Sequence, residues 1–181
     1  IKSVELDTFD VAFHIIGGGE EGDKQVVRTK EEADHSLHYM MSAMLLDGQV
    51  MPEQYEPERI VREDIQTLLQ KVNVREKKEY SSAFPDEMRC RIAITMEDGT
   101  VFETEKRDYE GFVTRPMSWE TVAEKFNALA EPYTSESLRR RIIGMVHDFE
   151  DFRVAELTGL LNHVDIPPAK EPHELKEKGR K

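Results

Sequence analysis

The chain has 181 residues, of which 38% are hydrophobic and 34% charged, enough for one sizeable domain or a domain with an appendage. Its formal charge of −12 argues against non-specific binding to nucleic acid or to an anionic membrane. The single cysteine, Cys90, excludes an intrachain disulfide and suits a reducing cytoplasm.

No apolar run reaches the roughly 18 residues of a membrane span, and no signal-peptide pattern is read in the opening residues. No Cys/His cluster has metal-ligand spacing, so no iron–sulfur or zinc site is expected within this chain. Residues 1–9 read as a strand, with Val4 and Leu6 on one face. The sequence enters that strand without an initiator methionine or a leading turn, as a fragment of a longer protein would. Residues 9–16 suit a short helix through Phe9, Ala12, Phe13, Ile15 and Ile16, stopped by Gly17-Gly18-Gly19. That triplet lacks the Gly-Lys-Ser/Thr continuation of a phosphate loop, and a mobile loop to Asp23 is expected. Lys24, Arg28 and Lys30 follow. With the positive end of the next helix they are candidates for holding a carboxylate, or else ordinary surface charges.

Residues 29–48, TKEEADHSLHYMMSAMLLDG, predict one complete amphipathic helix. Thr29 with Glu32 makes a capping box, and Gly48 supplies the left-handed stop. Ala33, Leu37, Met40, Met41, Met44 and Leu45 form the expected buried stripe. His35, Tyr39 and Ser42 form a polar line beside it. A histidine, a phenol and a hydroxyl at the edge of an apolar face are either site groups or boundary residues bonded to their neighbours.

A polar connection with Pro52 and Pro57 leads to a helix over 59–71, with Ile60, Ile65, Leu68 and Leu69 inward. Residues 72–75 alternate as a strand, and 76–87 read as a charged loop. Residues 88–96 are the clearest strand, with Met88, Cys90, Ile92, Ile94 and Met96 toward the core. Asp98-Gly99 is a two-residue hairpin turn into a partner strand over 101–105. Cys90 then reads as an inert core thiol. From Ser118 the pattern is helical. Its three stripes are Trp119, Val122, Phe126 and Leu129, then Leu138, Ile142, Met145, Val146 and Phe149 behind Thr134, then Val154, Leu157, Leu160, Leu161 and Val164. The tail over 165–181 has too few apolar residues to fold.

The run EEADHSLHYMMSAMLLDG, followed by Tyr55, Arg59-Ile60, Leu68-Leu69 and Lys71-Val72, resembles the 2-methylcitrate dehydratase (MmgE/PrpD) family. In that family a helix with a His-Ser-x-x-Tyr pattern begins near the start of the smaller, lid-like domain. Asp98-Gly99 and Gly111 through Arg115-Pro116-Met117-Ser118 match the family's closing portion in order and spacing. One departure is His38, where the family usually has proline.

The resemblance implies an α+β fold, a small sheet with a β-hairpin packed by helices. A C-terminal run of helices then joins a helical domain outside this sequence. The expected divisions are 1–117 for the lid-like part, 118–164 for the C-terminal helices and 165–181 for a disordered tail. The implied activity is a cofactor-independent hydro-lyase that converts 2-methylcitrate to 2-methyl-cis-aconitate in propionate catabolism. Decarboxylation of cis-aconitate and epimerisation of iminodisuccinate are the family's other reactions. Tyr39 carries over as a catalytic hydrogen-bond donor or acid facing the cleft, with His35 to orient it, and Arg28 and Lys30 as substrate-binding cations. The partners so implied are a tricarboxylate, the N-terminal helical domain and a second copy in a homodimer, with this chain alone inactive. The rival reading is a non-catalytic α+β regulatory or dimerisation module.

Overall fold

The chain runs β1 (Ser3–Thr8), α1 (Asp10–Ile16), α2 (Lys30–Asp34), α3 (Leu37–Asp47), a 3-10 turn at Pro52–Tyr55, α4 (Pro57–Ile60), α5 (Glu63–Leu69), β2 (Val72–Glu76), α6 (Lys78–Ala83), β3 (Cys90–Thr95), β4 (Val101–Lys106), α7 (Trp119–Ala130), α8 (Glu136–His147) and α9 (Val154–Leu161). These elements come from a computed structural model that describes residues 1–20 and 22–165. They divide into two units, Ile1–Pro116 and the residues from Met117 onward. Beyond Asp165 the tail expected to be disordered lies outside the described residues.

The first unit is an α+β fold around a mixed sheet in the order β2-β1-β3-β4. β1 pairs parallel with β2 and antiparallel with β3, and β3 pairs antiparallel with β4. Period-two alternation sorts the strands into two faces. The register lines up Val72, Val4, Ile94 and Phe102 across one face. Arg75, Asp7, Arg91 and Glu105 lie across the other. Val4 and Leu6 are buried, whereas every residue of the edge strand β4 is exposed. On the charged face Asp7 receives Arg75 at 2.9 Å and Arg91 at 3.1 Å, and Arg91 continues to Glu103 at 2.6 Å. A buried carboxylate so placed has its charge answered from both neighbouring strands. The hairpin loop has three residues, Glu97-Asp98-Gly99, because Met96 N still donates to Thr100 O and Asp98 takes the Thr100 amide. Gly99 accepts the positive φ of 87° that this loop requires.

Residues 76–87 do not form a loop throughout, since α6 occupies 78–83. Tyr80 explains it. Its ring is buried, its hydroxyl donates to Glu105 at 2.6 Å, and Lys77 lies 4.5 Å over the ring. Charges at i and i+1 hid one deeply buried aromatic.

The helical layer has its own core, built from Val27, Ala33, Tyr39, Ala43, Ile60, Ile65 and Leu69. The helix expected over 59–71 is divided into α4 and α5, with Ile60, Ile65, Leu68 and Leu69 buried as anticipated. The division serves Arg59. This guanidinium is 9% exposed and binds both oxygens of Asp47 at 2.8 Å and Asp64 at 3.1 Å. Gln54 adds a bond to the same Asp47 carboxylate. The pair therefore ties the end of α3 to α4 and the start of α5.

The second unit holds α7, α8 and α9. Ser118 caps α7 as expected, but Ser135 rather than Thr134 caps α8. Thr134 instead turns its hydroxyl back to the Ala130 carbonyl. Leu138, Ile142 and Leu160 make the centre, with Phe126, Met145, Leu157 and Val164 against it. Among the described residues no helix is long and apolar enough to cross a membrane.

Asp47→Asn removes the charge that answers a nearly buried guanidinium. It is expected to destabilise the first unit by about 2 kcal/mol, the scale of a hydrogen bond to a charged group, read from the urea midpoint of the chain. An unchanged midpoint would show that Asp64 alone satisfies Arg59.

Candidate active site

Residues 29–48 are two helices. The capping box is present, with Thr29 Oγ1 accepting from Glu32 N and Glu32 Oε2 accepting from Thr29 N. Gly48 ends α3 at a φ of 74°. Between them the helix stops at His35 and restarts at Ser36, whose hydroxyl accepts from Tyr39 N at 3.0 Å. Ser36 is a second N-cap in mid-run, a role that serine suits better than a helix interior. The restart resets the helical phase. The buried face of α3 is consequently His38, Tyr39, Ser42 and Ala43. The expected stripe is only partly covered, and Met44 is 51% exposed.

The expected polar line is thus not a line at the edge of the core. His35 ends α2, exposed, with Nδ1 2.5 Å from Asp34 Oδ1 and 3.0 Å from the Glu31 carbonyl. Tyr39 is 0% exposed. Its hydroxyl donates to the Gln54 carbonyl in the 3-10 turn, and its ring tilts against Tyr55. Burial pushes the phenol up to about 12. Ser42 donates to the His38 carbonyl. Lys30 is exposed and paired with Asp34 at 3.0 Å. Arg28 contributes its backbone amide to Glu32, and its guanidinium has no partner among the described residues.

What the fold does assemble is a polar concavity of about 580 Å³ between the glycine loop, α3 and the β2 edge. Phe13, Gly18, Lys24, His38, Asn73 and Arg75 are among its walls. Gly17 closes this loop tightly. A Cβ there would come within 2.9 Å of Val74 Cγ1 and within 2.8 Å of Phe13 Cα. Gly18 takes a φ of 96° and faces the ring of His38. The segment after Asp23 is stitched down by side chains from three directions. Ser36 Oγ donates to the Lys24 carbonyl at 2.6 Å, Gln70 to the Gln25 carbonyl at 2.8 Å and Gln66 to the Val27 carbonyl at 2.9 Å. Gln25 in turn reaches the Val72 carbonyl on β2. From Lys24 onward the chain is therefore fastened by side chains.

Charge within the concavity is unevenly satisfied. Arg75 pairs with Glu5 and Asp7, Asn73 donates to Glu5, and Asp23 accepts the Gln25 amide. The Lys24 ammonium has no partner among the described residues, and neither does Nδ1 of His38, whose residue is 5% exposed. Burial holds the His38 imidazole below its ordinary range, with Asp23 opposing. A free ammonium, a neutral imidazole and the first-turn amides of α3 suit a carboxylate better than a cation. Among the described residues no group of three or more His, Cys, Asp or Glu is placed to hold a metal ion. Cys90 is half-buried and burial raises its thiol, which leaves it unreactive.

Comparison with known proteins agrees with this architecture. A model of the MmgE/PrpD C-terminal domain matches residues 1–151, and the chain belongs to the MmgE/PrpD family, of which it carries the C-terminal domain. It is similar to the cis-aconitate decarboxylase of Mus musculus, 31% identical over 134 residues, which are 74% of this chain and 27% of that protein. The Homo sapiens cis-aconitate decarboxylase is 29% identical over 140 residues, 77% of this chain and 29% of its own length. The chain thus spans less than a third of the curated relatives it matches.

The sequence names Lys24 among its candidate cations and gives His38 no role, since on a single helix His38 faces away from Tyr39. The available signal was Ser36, a residue that starts helices, three before Tyr39.

Two measurements follow from this geometry. Tyr39→Phe leaves the Gln54 carbonyl without its donor and is expected to cost about 1 kcal/mol, with kcat of the intact protein little changed. A fall of about two orders of magnitude in kcat at unchanged Tm would instead assign the phenol to proton transfer. Burial makes the His38 imidazole harder to protonate in the fold than in the unfolded chain, which takes a proton near the ordinary value of 6.5. Its contribution to stability is therefore present above that pH and lost as pH falls below it. The melting temperature is expected to drop between neutral pH and about pH 5 more steeply in the wild type than in His38→Gln. Parallel curves would contradict this.

Proposed function

We propose that the protein containing this chain is a lyase acting on a small polycarboxylate, with the concavity beside α3 receiving one of its carboxylates. The observation that carries this is the Lys24 ammonium, unpaired among the described residues, on a main chain anchored by the Ser36 bond to the Lys24 carbonyl at the first turn of α3, in a chain of net charge −12. An acidic protein that takes an anionic substrate needs such a local cation. Arg28, four residues on and also free among the described residues, is the second candidate. The family's chemistry removes or adds a proton next to a carboxylate, which calls for a base, an acid and fixed cations.

In the first reading the reaction is dehydration of 2-methylcitrate. A proton leaves carbon, the adjacent hydroxyl departs as water, and 2-methyl-cis-aconitate remains. The second is decarboxylation of cis-aconitate, in which a carbon–carboxylate bond breaks, carbon dioxide leaves and carbon takes a proton. It is favoured by the names of the mouse and human relatives. In either case the groups that move protons are sought outside this chain, which spans 27% of the mouse relative.

The intact protein is expected to turn over one of the two acids, water addition or loss being followed by the enoate absorbance and decarboxylation by released carbon dioxide. The 181-residue chain alone is expected to turn over neither. Failure of the intact protein on both acids would remove the lyase reading. Turnover by the chain alone would move the catalytic groups into the concavity described here.

A further inference from the structure

We propose that His38 is a ligand-contacting residue that sets specificity in the concavity, its imidazole and the Lys24 ammonium together receiving one carboxylate of the polycarboxylate at the first turn of α3. The inference rests on the polycarboxylate reading above and adds the residue that recognises the ligand. Three features of the fold lead to it.

His38 occupies the second position of an 11-residue helix whose cap, Ser36, already uses the Tyr39 amide. The amides of Leu37 and His38 precede the first intrahelical bond and lack helical acceptors. They leave a partial positive charge at the start of α3, where His38 stands. The imidazole itself is 5% exposed, lines the concavity, and has an Nδ1 sealed from solvent with no hydrogen-bond partner among the described residues. A buried polar nitrogen without a partner is uncommon and costly; Nδ1 of His14 shares that state, and His38 differs in lining the concavity. Finally, Gly18 covers the ring at a distance that leaves room. A Cβ there would stand 3.8 Å from His38 Cε1, so the loop touches the ring without filling the space beside it.

The charged groups facing His38 from the surrounding elements are Asp23 and Lys24 on the loop, Glu5 on β1 and Arg75 on β2. Glu5 and Arg75 neutralise each other at 3.2 Å, and Asp23 is occupied by the Gln25 amide. Among the described residues, a carboxylate entering beside the ring thus meets the unpaired Lys24 ammonium and a neutral imidazole. Its negative charge favours the imidazolium, so binding takes up a proton from solvent at His38. Affinity accordingly increases as pH falls toward the imidazole range, opposite to the direction expected if only Lys24 and Arg75 held the anion. An uncharged analogue of the same shape gains nothing from the ring.

The test is calorimetric titration of the intact protein with propane-1,2,3-tricarboxylate, an unreactive tricarboxylate, at pH 7 in two buffers of different ionisation enthalpy. The wild type is expected to bind with net proton uptake. His38→Gln is expected to bind about tenfold more weakly, the scale of one lost bond to a charged group, and without proton uptake. Lys24→Met is expected to lose a similar factor while proton uptake persists. This variant keeps the test decisive if His38→Gln fails to fold. Binding by His38→Gln with unchanged affinity and unchanged proton uptake overturns the role of His38 and leaves the polycarboxylate reading standing, as does unchanged affinity in Lys24→Met for the paired site. Absence of binding by the wild type, in a protein that turns over neither acid, overturns both.

Discussion

The hydroxyl of Ser36, fully buried, accepts the Tyr39 amide and donates to the Lys24 carbonyl, and the arrangement of the first unit depends on both bonds. The first starts a new helix in what is otherwise a continuous amphipathic run. That start sets the phase of α3, and the phase decides that Tyr39, Ser42 and Ala43 enter the core while Met44 faces out. The second bond fastens the loop after Asp23 to the same turn. One hydroxyl in its two hydrogen-bonding roles thereby places a lysine and a histidine on the two sides of one concavity.

Around that hinge the unit is held by polar side chains that reach main-chain carbonyls far away in sequence. Gln66 and Gln70 of α5 and its end hold the carbonyls of Val27 and Gln25, and Gln25 reaches Val72. These bonds join the loop, the helical layer and the parallel edge strand. The charged face of the sheet is satisfied within itself, through Arg75, Asp7, Arg91 and Glu103. Cations spent in that ladder do not serve a ligand. This leaves Lys24, with no partner of its own among the described residues, as the natural anion contact.

Much of the fold was legible. Val4 and Leu6 announced β1, the alternation after Met88 announced β3, and Thr29 with Glu32 and Gly48 marked true helix ends. These signals are local, set by backbone preference within a few residues. The candidate site was less legible. Tyr39 looked like a boundary phenol because the acceptor of its hydroxyl among the described residues, the Gln54 carbonyl, lies 15 residues on in a turn that no pattern predicts. Lys30, expected to bind substrate, is paired with Asp34 one turn later, a partner that spacing alone does not single out. The burial of His38 is not legible from one continuous helix, because the interior stop at Ser36 rotates every later residue.

The sequence by itself determined the class of the unit. Period-two and period-3.6 stretches, punctuated by glycine and serine, leave an α+β sheet-and-helix layer followed by amphipathic helices. The motif around His35 and Ser36 pointed to the family that the match over residues 1–151 establishes. Only the tertiary structure decided that β1 and β2 run parallel, with α1 to α5 carried between them. It alone decided which cations are paired and that His38 is buried with an Nδ1 lacking a partner among the described residues. Strand pairing, ion pairing and burial depend on groups far apart in the chain, whose encounter is a property of packing rather than of any local stretch.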